Sequence, residues 1–348
     1  MKQRNSSIEL ARIVFTIGVI LGHYCFNGLS YDSLASANYV WMQCMATFSC
    51  TVVGFFVMIS GYCLANIQTR KFIKVVQLVV QAVIFNLAFY FGSVLLGQNP
   101  FSARELVNRF VPDNFFVVLY CCLYIISPYI NYLVDKLDKK GLKKLVITLF
   151  VIFSVLSFIN DVLVKTVGSG FITFNTVSAF GSLSGSSIIN FILFYIIGVY
   201  LSRVDFTFSR KNLLIALLII VLLMSGISLA DYSLARELNN PINIIFLAVI
   251  VLILKGIIFE NKLINELSKA AYTCYLFHSN FLIYVGIGWA VKQKLPILIL
   301  HQVVTGVGLF LVSYPVYRIY NSCAGIFIKK ITPICERIDI SVRTEENR

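Results

Sequence analysis

Two titratable residues lie in the first long apolar segment of the chain, and their spacing places them on one face of a helix. Arg12 and His23 are eleven residues apart. An α-helix turns by about 100° per residue, so their side chains point in nearly the same direction, about 16 Å apart along the axis. Titratable side chains in a membrane span are costly unless they face protein or water, so the pair predicts a functional site. The alternative is an arginine that snorkels to the cytoplasmic interface and an unrelated histidine near the outer one.

Residues around this pair indicate which chemistry it would perform. Glu9 precedes Arg12 by three positions, where its carboxylate can neutralise the guanidinium as the helix enters the membrane. A neutral imidazole at His23 can take a proton from a hydroxyl, which is the work of a general base. Cys274 and His278 have the i, i+4 spacing of metal ligands, but two ligands without a third are too few, so no metal site is predicted.

The end of the second apolar segment and the loop after it form a second group of candidates. The segment ends in small and polar residues that permit a close backbone approach or a kink, namely Ser60, Gly61 and Tyr62. A basic cluster able to hold phosphates follows, namely Arg70, Lys71 and Lys74. The alternative interpretation of the cluster is ordinary positive charge at a cytoplasmic flank.

Composition indicates a polytopic membrane protein. The chain is 58% hydrophobic and 13% charged, with a mean hydropathy of +0.84, whereas a soluble domain is roughly 45–50% apolar and 25% charged. The net charge of +13 does not predict a nucleic-acid partner, because the basic residues fall in short loops between apolar runs. The nine cysteines fall mostly within these runs, where Cys behaves as a small hydrophobe.

The apolar runs predict an all-α bundle of about ten membrane-spanning helices. They cover residues 8–26, 39–65, 72–96, 114–134, 143–163, 186–202, 212–230, 241–259, 270–291 and 297–321. Of the 29 Lys and Arg residues, 22 lie in one set of flanks. The opposite set holds only Arg104, Arg109, Lys165, Arg236, Lys292 and Lys294. The positive-inside rule therefore places both termini in the cytoplasm.

The runs also predict the domain organisation. No stretch between them is long enough for a separate domain, so residues 1–331 are expected to form one transmembrane domain, followed by a short cytoplasmic tail at 332–348. The longest predicted outer loops, 97–113 and 164–186, are where a bulky external substrate would meet the protein. The oligomeric state is left open by the sequence.

Five segments, taken in order, resemble the acyltransferase-3 superfamily of integral membrane O-acyltransferases over nearly the whole chain. The opening Arg4–Arg12 with His23 is similar to the family's signature of an Arg and a His separated by ten residues. The other segments are Phe55–Leu64, Asn114–Asn131, Phe191–Tyr200 and Tyr272–His278. Two departures from the family pattern bear on the site. Lys71 and Lys74 stand where paired arginines are usual, and Ser279 stands where an acid is often seen.

The resemblance implies an activity and roles for the candidates. It implies that Arg12 helps to hold a cytosolic acyl-CoA donor, while His23 activates the acceptor hydroxyl or receives the acyl group. Tyr120 and His278 would be supporting residues, and His278 is either a structural hydrogen-bonding residue or a direct participant. The resemblance extends to the bacterial members of the family that acetylate capsular polysaccharide or exopolysaccharide. The implied reaction is therefore O-acetylation of a cell-surface or exported polysaccharide, or of its lipid-linked precursor, at the bacterial cytoplasmic membrane.

The implied substrate is acetyl-CoA, with no bound cofactor, and succinyl or another acyl group is the alternative within the same class. The competing class is a transporter or flippase of a lipid-linked glycan, which ten helices and a positive charge would also suit. Proton-coupled transporters usually carry carboxylates deep in their spans. Here the one acid clearly inside a span is Glu9 at its edge, which favours the transferase.

Overall fold

The computed structural model describes residues 5–31, 34–112, 114–168, 170, 185–205 and 208–342, and the described residues are mainly helical. The helices are α1 (Ser6–Leu29), α2 (Ser36–Leu64), α3 (Ile73–Leu95), α4 (Ala103–Asn108), α5 (Phe115–Asp135), α6 (Lys139–Phe150), α7 (Leu156–Val167), α8 (Ile188–Arg203), α9 (Arg210–Ala230), α10 (Tyr232–Ala235), α11 (Pro241–Lys255), α12 (Lys262–Leu267), α13 (Ala271–Leu282), α14 (Ile287–Ala290) and α15 (Leu295–Glu336). A π-helical turn, Val151–Val155, joins α6 to α7. Two short strands, β1 (Thr69–Arg70) and β2 (Ile340–Ser341), pair antiparallel.

Seven helical segments of the described chain are long and apolar enough to cross a membrane, and α8 and α11 are shorter apolar helices. All seven coincide with predicted crossings, which confirms an all-α multi-pass protein. The predicted crossing at 270–291 is not one helix, because α13 ends at Leu282 and α14 begins at Ile287. Gly286 between them has a φ of +73°, a left-handed conformation that interrupts helical hydrogen bonding. The count of ten crossings therefore remains a prediction.

Side-chain caps fix the start of most helices. An Asn, Asp or Ser side chain accepts a hydrogen bond from a backbone N–H in the first turn, which satisfies a donor that the helix itself leaves unpaired. These caps are Asn5, Ser102, Asn114, Asp138, Ser187, Ser209, Asp231, Asn240 and Asn261. The beginnings of α1 and α13, which carry the histidines of interest, are thus set by different means, since α13 continues from a 3₁₀ turn, Ser268–Ala270.

The chain divides into two compact units. Unit 1 comprises residues 1–65 and 137–314, and unit 2 comprises residues 66–136 and 315–348. The division within α15 falls at Pro315, a residue that cannot donate a helical hydrogen bond. In unit 2, α15 continues to Glu336 and the chain then forms β2. The boundary predicted between a domain and a tail at 331 thus lies inside a helix.

The core of unit 1 is organised by α2 and α8, which pack with their backbones almost in contact. A Cβ at Gly61 would lie 2.1 Å from the carbonyl oxygen of Tyr195, and a Cβ at Gly198 would lie 2.0 Å from that of Met58. Small residues at such crossings let membrane helices approach closely. Side chains of α8 are buried on every side, so it is the central helix against which α2 is held.

Candidate active site

The first residues of α1 attach it to the segment that precedes α12. The Asn5 side-chain oxygen accepts a hydrogen bond from the Ser7 backbone N–H at 3.0 Å, and its amide nitrogen donates to the Ile257 carbonyl at 3.1 Å. The Ser6 backbone N–H donates to the Phe259 carbonyl at 2.9 Å. These bonds give the family-like opening a structural role, because they fix where α1 starts. Arg4 of that opening lies outside the described residues.

An ion pair lies one turn into α1. The Arg12 guanidinium is 3.1 Å from the Glu9 carboxylate, which is buried, while the arginine side chain is half-buried. The Arg12 carbonyl also accepts a hydrogen bond from the Thr16 hydroxyl at 2.8 Å. The pairing predicted from the i, i+3 spacing is therefore present in the structure. It compensates the positive charge that Arg12 would otherwise carry alone into the helix.

His23 lies beside His278 near the other end of α1. The centres of the two imidazole rings are 4.8 Å apart, with the ring planes inclined at 66°. The ring of Phe26 lies beside that of His23, with the two ring centres 6.0 Å apart. His278 is 3% exposed, whereas His23 is exposed. The structure thus brings together two predicted site residues that are 255 positions apart in the sequence.

Hydrogen bonds determine the tautomer of His278. Its Nδ1 lies 2.8 Å from the Tyr275 carbonyl and 3.2 Å from the Cys274 carbonyl, and carbonyl oxygens only accept, so Nδ1 carries the proton. In the neutral ring, Nε2 is then a lone-pair acceptor. This buried Nε2 has no hydrogen-bond partner among the described residues. A buried polar atom left unpaired is uncommon and often marks a functional position.

The third histidine belongs to a different group of side chains. His301 Nδ1 and the Tyr24 hydroxyl oxygen are 2.8 Å apart, and the His301 ring centre is 5.8 Å from that of Trp289. The Tyr24 side chain is fully buried. Although Tyr24 follows His23 directly, a helix turns its side chain by about 100° away from that of His23. Sequence reasoning missed the Tyr24–His301 pair, and no local spacing would have revealed it.

The predicted donor-binding residues at the end of α2 also belong to unit 1. Ser60 donates a hydrogen bond from its hydroxyl to the Phe56 carbonyl at 2.7 Å, a bond to the preceding turn of its own helix. Gly61 packs against the Tyr195 backbone, as described above. Tyr62 is half-buried. Close backbone approach at Gly61 is therefore observed, and it is made to α8.

The basic cluster lies in unit 2, and its three cations differ in exposure. Arg70 is 3% exposed; its Nε donates to the Ser127 hydroxyl at 2.9 Å, and its guanidinium lies 5.6 Å from the centre of the Tyr124 ring. Lys71 and Lys74 are exposed. Arg70 therefore joins β1 to α5, and the two lysines present their charge to the surroundings.

Tyr120 is the remaining candidate in unit 2. Its ring stacks on that of Phe116 one turn earlier in α5, with the ring centres 5.5 Å apart. Both residues belong to the family-like segment that begins at Asn114, whose side chain caps the helix. The structure therefore gives this segment an ordered helical start and an aromatic surface.

A second group of titratable residues in unit 1 consists of Glu237, in the segment between α10 and α11, and Asp161 of α7. Glu237 is 8% exposed, and Asp161 of α7 is 1% exposed. Burial, together with the neighbouring Asp161 carboxylate, raises the pKa of Glu237 to about 7. Lys165 and Arg236 act in the opposite direction. Asp161 lies inside the predicted crossing at 143–163, so the expectation that Glu9 is the one acid clearly inside a span is wrong. The proximity of the two acids was not predicted, because Asp161 and Glu237 are distant in sequence.

Comparison with known proteins gives one result. The family described as an acyltransferase domain, acyltransferase-3, matches residues 5–318 of this chain. No curated protein and no solved structure matches the sequence significantly. The matched range contains Arg12, His23 and His278, together with every other candidate residue named above.

Proposed function

Because this chain belongs to the acyltransferase-3 family and is a membrane acyltransferase, we propose that it transfers an acetyl group from acetyl-CoA to a hydroxyl of a glycan. The acceptor is an exported or cell-surface polysaccharide, or its lipid-linked precursor, and the enzyme works in a bacterial cytoplasmic membrane. The observation that carries the proposal is the pair of histidines at one end of α1. It places an exposed imidazole beside a buried one whose Nε2 has no partner among the described residues, and such a pair can activate a hydroxyl.

In the proposed reaction, His23 acts as the general base. Its unprotonated ring nitrogen takes the proton of the acceptor hydroxyl while the hydroxyl oxygen attacks the thioester carbonyl of acetyl-CoA. A new C–O bond forms, the C–S bond breaks, and the sulfur leaves as the thiolate, which recovers the proton from the imidazolium. The products are the acetyl ester and free CoA. A covalent variant, in which the His23 imidazole first receives the acetyl group, uses the same geometry.

His278 supports this role through its tautomer. Since its Nδ1–H is directed to the carbonyls of Tyr275 and Cys274, its Nε2 offers only a lone pair on the side of the ring that is not occupied by its own helix. No described residue donates to this Nε2, so it is available to accept an N–H from His23 when the His23 ring turns toward it, and the other His23 nitrogen then serves as the base. The partner of a functional histidine orients it in this way in other sites.

The donor is proposed to enter from the cytoplasmic side. Arg12 presents a half-buried guanidinium that can form two parallel hydrogen bonds to a phosphate, and Lys71 and Lys74 can act as exposed point charges. Within unit 1, Ser60, Gly61 and Tyr62 are further proposed donor-binding residues; the two lysines belong to unit 2. Arg70 is proposed to hold the backbone before the two lysines, through its bonds to Ser127 and to the Ile67 carbonyl at 2.9 Å.

The distribution of positive charge supports a proposal for the membrane topology. We propose ten crossings, with α8, α11 and the interrupted α13–α14 segment added to the seven long ones, and both termini in the cytoplasm. Single cysteines at exposed positions in a cysteine-depleted variant test this with a membrane-impermeant thiol reagent. Leu96→Cys and Thr166→Cys should be labelled from outside, and Lys140→Cys and Lys262→Cys only after permeabilisation. External labelling at 140 or 262 would contradict the orientation.

The decisive experiment measures acetyl transfer by purified protein in lipid nanodiscs. His23→Ala should lower transfer by about 10²–10⁴-fold, the usual contribution of a general base. The matched control is His301→Ala, which removes a histidine of the same unit that contacts Tyr24 and Trp289 and should retain most activity. Near-normal transfer by the His23 variant would refute the assignment. A wild-type protein that moves glycan but neither hydrolyses nor transfers from acetyl-CoA would support the transporter alternative.

A further inference from the structure

A cleft opens just beyond His23, at the C-terminal end of α1. Its volume is about 350 Å³, within the roughly 300–1,000 Å³ range of small-molecule sites. It lies between the end of α1 and the connection from α13 to α14. The residues used below are Asn27, Ser30 and Tyr31 on one side and Gly286 and Gly288 on the other.

Two polar residues of the cleft continue the helix face that carries His23. Asn27 and Ser30 follow His23 by four and seven positions, so they lie on one stripe of α1, about 6 and 10 Å further along the axis. Asn27 is exposed, and its amide makes no hydrogen bond to the described part of the chain. The Ser30 hydroxyl donates to the Phe26 carbonyl at 3.2 Å and retains its lone pairs. This face of the chain therefore runs from His23, the proposed base, to the Asn27 amide and the Ser30 hydroxyl, which can form hydrogen bonds to a ligand.

Tyr31 provides an aromatic surface whose position depends on a glycine. A Cβ at Gly288 would lie 3.0–3.1 Å from three atoms of the Tyr31 ring edge, so the ring rests against a backbone that carries no side chain. Gly286, with its φ of +73°, turns the chain at this place. Tyr31 is 42% exposed, which leaves part of its ring available for contact.

The chemistry of the cleft identifies the ligand class. None of the described residues that line it is charged. An exposed phenol ring, an amide without a partner in the described chain and a hydroxyl match a ring that has apolar C–H faces and equatorial hydroxyls. We propose that this cleft is the acceptor subsite and holds one neutral sugar unit, with Tyr31 against its C–H face and Asn27 at its hydroxyls. The assignment rests on the proposed function, because it places the acceptor of that reaction next to His23.

The kinetic test separates acceptor binding from chemistry. The acceptor is the exported polysaccharide of the source organism, purified from a strain that lacks this protein and cleaved into neutral and uronate-containing fragments. With neutral fragments, Tyr31→Ala should raise the acceptor KM about tenfold, and Asn27→Ala about fivefold. The KM for acetyl-CoA, and the slow hydrolysis of acetyl-CoA by water, should stay within twofold. The matched control is Tyr284→Ala, which removes a tyrosine that is 60% exposed, against 42% for Tyr31, and that does not line the cleft.

A binding measurement distinguishes failure of this inference from failure of the proposed reaction. Trp289 follows Gly288 directly and is 56% exposed, so neutral fragments should change its fluorescence without any acetyl-CoA, and Trp289→Phe should remove the signal. Binding that is lost in Tyr31→Ala supports the subsite even if no acetyl transfer is found. Transfer or binding that is unaffected by both cleft variants overturns the subsite and leaves the reaction standing. Tighter binding of uronate fragments than neutral ones would also overturn it, since it would require cations that are not among the described residues of the cleft lining.

Discussion

The titratable side chains at the two ends of α1 differ in whether their polar groups are paired. Near the N-terminus, Arg12 is paired with the buried Glu9 carboxylate at 3.1 Å. Near the C-terminus, His23 meets another base, His278, whose buried Nε2 is left without a partner among the described residues. The ion pair compensates a charge, whereas the imidazole pair retains an unused lone pair. In the proposed reaction that lone pair is what lets His278 orient His23, the base, by accepting its N–H.

The same contrast recurs among the candidate cations. Arg70 is buried and bonded to Ser127 and to backbone carbonyls, while Lys71 and Lys74 are exposed. Arg70, whose hydrogen bonds are made within the protein, stabilises the local structure. The exposed ammonium groups of Lys71 and Lys74 are available to a ligand. Unsatisfied polar groups therefore discriminate between candidates better than residue type does.

The largest effect that would test this contrast is expected at His278. His278→Ala removes the lone pair available to orient His23 and should lower kcat for acetyl transfer by about 10–100-fold, a loss of the size seen when the outer partners of metal-bound side chains are removed. The KM for acetyl-CoA should change little. A variant that folds and retains full kcat would show that the two rings are merely packed together. Cys274→Ser, which alters the preceding turn of α13 and keeps the imidazole, is the matched control.

A smaller effect is expected at the other end of the helix. Arg12→Lys keeps the positive charge and loses the planar fork, so the KM for acetyl-CoA should rise about tenfold while the acceptor KM is unchanged. Arg210→Lys, at an exposed position at the start of α9, is the control. Glu9→Gln leaves the arginine uncompensated and should lower the thermal unfolding temperature. An unchanged KM for acetyl-CoA in the Arg12 variant would refute its donor role.

The smallest expected effect concerns Asp161 and Glu237 and is an effect on stability. It serves to separate the pH dependence of stability from the pH dependence of activity, which is attributed to the histidines. The pKa of Glu237 is raised to about 7 from an ordinary 4.5. Between these two pH values the folded protein therefore retains a proton on Glu237 that the unfolded chain releases. This stabilisation is present in full below pH 4.5 and is lost as the pH rises through 7. Glu237→Gln should therefore flatten the decline of the unfolding temperature between pH 5 and pH 8.

Activity provides the complementary readout for that variant. The proposed base must be unprotonated, so transfer should fall at acidic pH in the wild type and in Glu237→Gln alike. If the substitution abolished the pH dependence of transfer, Glu237 rather than the histidine pair would control it.

Much of the helical framework could be predicted because apolar length and charge are local properties. All seven long helices coincide with predicted crossings. The interruption of the 270–291 segment was missed, because the run Phe281–Ala290 is apolar throughout its length and only Gly286 and Gly288 signal a break. The pairing of β1 with β2 was also missed. It joins residues more than 250 positions apart, and strands of two residues carry no periodicity.

For the candidate site, residues on one helix were more predictable than contacts between helices. The Glu9–Arg12 pair and the common face of Arg12 and His23 follow from helical geometry alone. The approach of His278 to His23 does not, because it depends on how α13 packs against α1. The Tyr24–His301 pair and the Asp161–Glu237 pair were unpredictable for the same reason.

The sequence by itself determined that the chain is a multi-pass membrane protein of the acyltransferase-3 family, since hydrophobic length and ordered motifs are read along the chain. It also determined that Arg12 and His23 share one helix face. Only the tertiary structure decided which histidine accompanies His23, which nitrogen of His278 is left free, and that Arg70 is buried while its lysine neighbours are not. Burial and hydrogen bonding are set by the packing of segments distant in sequence, and that packing decides which of several similar side chains retains an unpaired group for chemistry.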